Sequence, residues 1–193
     1  MNKRLILLLA CILFLFTACT NSKPIDKASI AESVTVDENN GNTEYTFYLL
    51  SSKETPEKTT IKAESFEQAC KLAKEKYIPD LSLAKLELYM VNEKIYKDVL
   101  RKDVEYISTQ AFFSPQLYVT LSDKNSIENM SEEKEQSEKI EEQIVLLKNK
   151  KKSVNISCLS IVNNYSDEKV DNFKIPYVST QNAMRADTEK IDK

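Results

Sequence analysis

Four cysteines, Cys11, Cys19, Cys70 and Cys158, carry the most versatile covalent chemistry in this chain. A thiolate attacks acyl, alkyl or disulfide partners and binds soft metals. No imidazole is present to activate any of them, because the 193 residues include no histidine. That excludes Ser-His-Asp and Cys-His nucleophilic catalysis and any His-rich zinc site. With a single glycine, Gly41, neither a GxGxxG turn nor a P-loop phosphate cradle can be built. Two carboxylates acting as acid and base would still be possible, yet the 30 acidic residues are scattered over polar stretches without a distinctive pair. No catalytic, cofactor or metal site is expected, and the chain reads as a non-enzyme.

The sequence around each thiol separates their roles. Met1-Asn2-Lys3-Arg4 supplies two cations, Leu5 to Phe16 is an unbroken apolar run of 12 residues, and polar sequence begins at Thr20. As a helix at ~1.5 Å per residue, that run reaches roughly 18 Å, short of the ~30 Å hydrocarbon core of a bilayer. A charged start, a short apolar run and small residues before a cut describe a secretory signal over residues 1–18. Phe16-Thr17-Ala18-Cys19 resembles the bacterial lipobox, in which a bulky apolar residue and two small ones precede a cysteine that receives diacylglycerol on its sulfur. Phe16 stands where leucine is usual. Cys19 is therefore the expected lipid-attachment residue and the first of the mature chain, while Cys11 leaves with the signal. Each buried methylene contributes ~0.8 kcal/mol, so two or three acyl chains hold a protein on a membrane effectively permanently. Membrane lipid is the expected partner at this end, and the extracytoplasmic side of the cell membrane the expected location.

Loss of Lys3 and Arg4 with the signal takes the basic residues from 27 to 25 against 30 acidic ones, a net charge of about −5. That balance argues against nucleic acid as a partner and against electrostatic docking on anionic lipid. About 175 residues remain, enough for one domain of ordinary size. Cys70 and Cys158 allow at most one disulfide. Both fall on apolar helical stripes, Cys70 with Phe66, Ala69, Ala73 and Tyr77, and Cys158 with Ile161, Val162 and Tyr165. They are read as core residues in preference to a bonded pair, a ligand or a nucleophile.

The elements that would carry these residues are set by period and punctuation. Ile30, Glu32, Val34 and Val36 alternate as on a strand, Asn40-Gly41 supplies hairpin chemistry, and "TEYTFYLLS" pairs back. "KTTIKAES" is a short extended piece, and Ser65 with Gln68 forms a capping box for a helix that Pro79 stops. Leu86, Leu88 and Met90 mark another strand. Ile95, Val99, Leu100, Val104, Ile107 and Ala111 then mark helical faces, with Asp103 punctuating two helices, and Leu117, Val119 and Leu121 a further strand. Between Glu128 and Glu142 lie seven glutamates, followed by Lys148, Lys150, Lys151 and Lys152. Acid first and base last suits a helix dipole. This charged helix, about 126–152, is read as a solvated helix docked by Ile140, Ile144 and Leu147, in preference to a basic patch meeting lipid headgroups. The expected fold is α+β (mixed α/β): a small sheet with a hairpin and strand–helix–strand units, helices on one face, and the charged helical segment. The expected organisation is a signal at 1–18, a lipidated tether at 19–29, one domain at 30–178 and a disordered tail at 179–193.

From Cys19 onward this layout resembles the N-terminal region of the Ger(x)C family of spore-germination lipoproteins, the C subunits of germinant receptors. The resemblance is carried by "FEQACKLA" (66–73), "LYMVNEKIYKDVL" (88–100), "QLYVTLSDKNSIENM" (116–130) and "NNYSDEKVDNFKIPYV" (163–178). It spans roughly residues 19–178, and Thr20-Asn21-Ser22-Lys23 replaces the Trp-Asp and basic pair usual after the family's cysteine. It implies a non-enzymatic receptor subunit that works with integral-membrane partners at the spore inner membrane. A free-standing surface lipoprotein binding a small ligand or peptide is the alternative, motivated by Tyr45, Tyr48, Tyr89 and Tyr118, which could line a groove.

Overall fold

Asn40 and Gly41 both take left-handed backbone angles, φ 51° and 74°. Such a two-residue turn matches the twist of flanking strands, and it joins β1 (Ser29–Asn39) to β2 (Asn42–Leu49) as the sequence requires. A computed structural model describes residues 29–51, 57–110, 113–114, 117–130, 135–179 and 185–192. The expected signal, Cys19 and most of the tether lie outside them.

β3 (Glu57–Lys62), β4 (Leu81–Ser82), β5 (Leu88–Asn92), β6 (Tyr118–Ser122), β7 (Asn172–Ser179) and β8 (Arg185–Asp192) complete one sheet in the order β3-β2-β1-β5-β6-β7-β8, with β4 beside the start of β1. β1, β5, β6 and β7 run parallel; β2, β3 and β8 are antiparallel to their neighbours. In β1 the register shifts between Ala31 and Ser33. This bulge turns Ala31, in place of Ile30, onto the core face with Val34 and Val36. Residues 185–192 form β8 rather than a disordered tail, each paired with its partner across β7 from Asn172↔Asp192 to Ser179↔Arg185. Between β6 and β7 the hydroxyls of Thr120 and Ser122 donate to the carbonyls of Pro176 and Val178, at 3.0 and 3.1 Å.

Among the described residues, five helices pack on this sheet: α1 (Phe66–Leu72), α2 (Tyr96–Thr109), α3 (Lys124–Asn129), α4 (Gln136–Lys150) and α5 (Cys158–Ser166). The α+β architecture is as expected, but the helices cover both faces. Side chains of α1, α2 and α5 join Val34, Phe47, Tyr89 and Val119 in the larger core, while Ile127 of α3 and Ile140 and Ile144 of α4 pack with Tyr48, Leu88, Met90 and Val178 on the other side. The charged segment is two helices rather than one, with Ile140, Ile144 and Leu147 of α4 buried.

α1 starts where the capping box places it. The Ser65 hydroxyl accepts from the Gln68 amide at 3.3 Å, and Gln68 Oε1 accepts from the Glu64 amide at 2.8 Å. Its continuation, Ala73–Tyr77, is a π-helical turn closed by Ile78 N–H to Ala73 O at 2.7 Å. The extra residue rotates the next side chains by roughly 100° about the helix axis. Tyr77, expected on the buried stripe, is 60% exposed, and Ile78 is buried instead.

Candidate functional site

The most elaborate polar arrangement among the described residues surrounds Asp103. α2 is one continuous helix through this position, so Asp103 does not divide two helices. It lies on the same stripe as Val99, Leu100, Val104 and Ile107 and is 1% exposed. A buried carboxylate must find donors, and three reach it. Tyr89 Oη donates to Oδ2 at 2.6 Å, Tyr45 Oη donates to the same oxygen at 3.0 Å, and the Phe66 amide donates to Oδ1 at 2.9 Å. These donors belong to β5, β2 and the first residue of α1, so one carboxylate joins four elements. Burial raises the Asp103 pKa above the ordinary aspartate range against the opposing pull of its three donors. Burial, then the adjacent carboxylate, hold both phenols well above the usual tyrosine range.

This site is closed. Phe66 covers it, its ring 5.3 Å from that of Tyr89, 6.0 Å from Tyr45 and 5.9 Å from Phe47. Of the tyrosines that the sequence offered as groove residues, Tyr45 and Tyr89 are enclosed, Tyr118 is partly exposed, and Tyr48, though mostly buried, lines a surface groove on the other face of the sheet. The Asp103 cluster therefore joins elements of the fold and has no opening for a substrate. The sequence carried a sign of it: an acid inside an apolar helical stripe.

Cys70 and Cys158 are buried free thiols. Cys158 Sγ donates to Val104 O at 3.6 Å. Burial pushes each thiol up to about 12, and at Cys70 the partial relief from Lys74 is opposed by Asp103 and Glu67. Neither is a competent nucleophile at neutral pH. Among the described residues, no three acidic or thiol groups are arranged to hold a metal ion, and no helix is long and apolar enough to cross a membrane.

Two further polar features lie on other parts of the surface. At the carboxyl ends of β1 and β5, Asn92 Nδ2 donates to Asp37 Oδ1 at 2.6 Å, beside a groove of about 190 Å³ lined by Thr35, Thr46, Lys124 and Glu128 among others. On α4, partial burial and then the charges of Glu87, Glu32 and Glu138 push Glu141 up to about 7. A carboxyl whose folded pKa is raised stabilises fully below its unfolded value and loses that contribution as pH rises through the folded one. Glu141→Gln is therefore expected to leave stability unchanged near pH 4 and to raise it by about 1–2 kcal/mol at pH 8, after allowing for solvent screening. Urea unfolding at the two pH values checks this, and equal effects at both would overturn it.

The arrangement defines a class: a mixed-sheet α+β domain with helices on both faces and its main polar cluster sealed within the core. By sequence the chain belongs to the spore germination protein N-terminal domain family, whose model matches residues 21–180. It is thus a germination-related protein. No curated protein and no solved structure matched the chain.

Proposed function

We propose that this protein is a membrane-anchored, extracytoplasmic lipoprotein and a non-enzymatic subunit of a germinant-receptor complex, held by acylated Cys19 and working with integral-membrane subunits through packed surfaces. The observation that carries the reading is the family match over residues 21–180, which begins two residues after Cys19. The lipobox-like Phe16-Thr17-Ala18-Cys19 supplies the attachment chemistry. The polar core supports the non-enzymatic role, because Asp103, Cys70 and Cys158 are all enclosed.

Mass spectrometry of the mature protein from spore membranes tests the anchor. The expected result is a chain starting at Cys19 with diacylglycerol on its sulfur, and release of essentially all of a Cys19→Ser variant from the membrane. An unmodified Cys19, or a variant that stays attached, would overturn it. Detergent extraction and affinity purification test the complex: integral-membrane subunits should co-purify, and their absence from the native extract sinks that part of the reading.

A further inference from the structure

Segment 128–152 holds seven glutamates and six lysines, and along α4 the two signs are drawn apart. α4 has 15 residues, about 22 Å at ~1.5 Å each. Glu138, Glu141 and Glu142 lie in its first half, and Lys148 and Lys150 end it, followed by Lys151 and Lys152. Its last turn is pinned to β7. Lys148 Nζ donates to the carbonyls of Lys152 and Val154 at 2.8 and 2.6 Å, Val154 bridges to Lys174, and the Asn155 amide donates to Lys174 O at 2.8 Å. Lys174 lies directly opposite Lys190 of β8, and both are exposed. Leu146, 48% exposed, stands one turn before Lys150. Glu32 and Glu87, each one residue before the paired Ser33 and Leu88, stand at the amino ends of β1 and β5 and near Glu141, so this end of the sheet is acidic on its β1–β5 side and basic on its β7–β8 side.

This lysine cluster lies at the amino ends of the parallel strands. Ser33 pairs with Leu88, Leu88 with Tyr118, and Tyr118 bridges to Ser157, while Lys174 is the third residue of β7. β1 begins at Ser29, four residues before Ser33, so the chain enters the domain at the same end. Three strand spacings separate β1 from β7, about 14 Å. Nine residues, 20–28, separate Cys19 from Ser29, which limits the span between them to about 35 Å at most. A lipid on Cys19 holds this end of the sheet nearest the bilayer.

We propose that the basic β7–β8 corner of this end, Lys150, Lys151, Lys152, Lys174 and Lys190 with Leu146, is a docking face for anionic phospholipid headgroups. The proposal rests on attachment through the amino-terminal segment. Electrostatic attraction acts within a Debye length, about 8 Å at physiological salt, and the short tether brings the face into that range. Because the remaining surface is net acidic, docking fixes which way the domain points and leaves the carboxyl ends of the parallel strands facing away from the membrane.

The full chain, reconstituted in vesicles of phosphatidylcholine alone or with about one-third phosphatidylglycerol, is labelled with an amine-reactive ester and mapped by mass spectrometry. Lys150, Lys152 and Lys174 are expected to react roughly threefold more slowly on the anionic vesicles, with Lys94 and Lys124 at the carboxyl ends unchanged. A Lys150→Glu/Lys152→Glu/Lys174→Glu variant, followed at Lys151 and Lys190, should lose the difference. Vesicle-bound protein whose lysines react equally on both compositions overturns the docking face alone. Protein that does not sediment with either vesicle overturns the anchor as well.

Discussion

Replacing Asp103 by alanine is expected to destabilise the domain by about 3–5 kcal/mol, because it strands buried donors from three other elements at once. The hydroxyls of Tyr45 and Tyr89 and the amide of Phe66 all donate to this carboxylate, and none of the three faces water. Each unpaired buried donor costs about 1–3 kcal/mol, and the costs do not simply add. Asp103→Asn keeps the shape and one acceptor, so its effect should be smaller. Comparing that variant with the wild type also isolates the charge. Burial raises the Asp103 pKa; the ionised form is therefore penalised in the folded state, and the wild type should gain on Asp103→Asn as pH falls through the carboxylate range and lose as pH rises. Urea unfolding between pH 3 and pH 8 measures both effects. A pH-independent difference, or an alanine variant within about 1 kcal/mol of wild type, would show that the cluster does not hold these elements together.

Phe66→Ala should cost a similar amount, about 3–5 kcal/mol, through a different mechanism. The Phe66 ring is fully buried and lies within 5.3–6.3 Å of five others, those of Tyr45, Phe47, Tyr89, Tyr106 and Phe113. Truncation leaves a cavity among aromatic edges that β2, β5 and α2 cannot close together without breaking the Asp103 hydrogen bonds. The backbone amide that donates to Asp103 survives the substitution, so the cycle of single and double variants is informative. Shared neighbours predict a coupling of about 0.5–3 kcal/mol between positions 66 and 103. Denaturation of the four proteins measures it, and strict additivity would mean that ring and carboxylate stabilise the fold independently.

What the sequence made legible was local. Asn40-Gly41 defines a turn by its own backbone preferences, and Ser65 with Gln68 starts a helix by hydrogen bonds spanning four residues. Ile140, Ile144 and Leu147 find one buried side by period alone. The misreadings share a non-local cause. Asp103 resembled a helix break because its donors lie 14, 37 and 58 residues away. Tyr77 left its stripe because a π turn inserts one residue into the count, and Ile30 yielded its place to Ala31 through a bulge that only strand pairing reveals. The side of the sheet taken by α3 and α4 depends on how the chain crosses over after β6, which no apolar period records. β8 is short of hydrophobic residues in sequence and is ordered by its ladder with β7.

β3 closes one side of the sheet, and among the described residues no strand pairs with its outer edge. An uncapped ladder is a template for intermolecular strand addition. On the lipid anchor proposed above, copies would share two dimensions and meet far more often than in free solution, which would raise that hazard. β3 is only six residues long, and Glu57, Lys58 and Lys62 are exposed along it. Charge and brevity thus act as a guard rail against edge-to-edge zipping between copies.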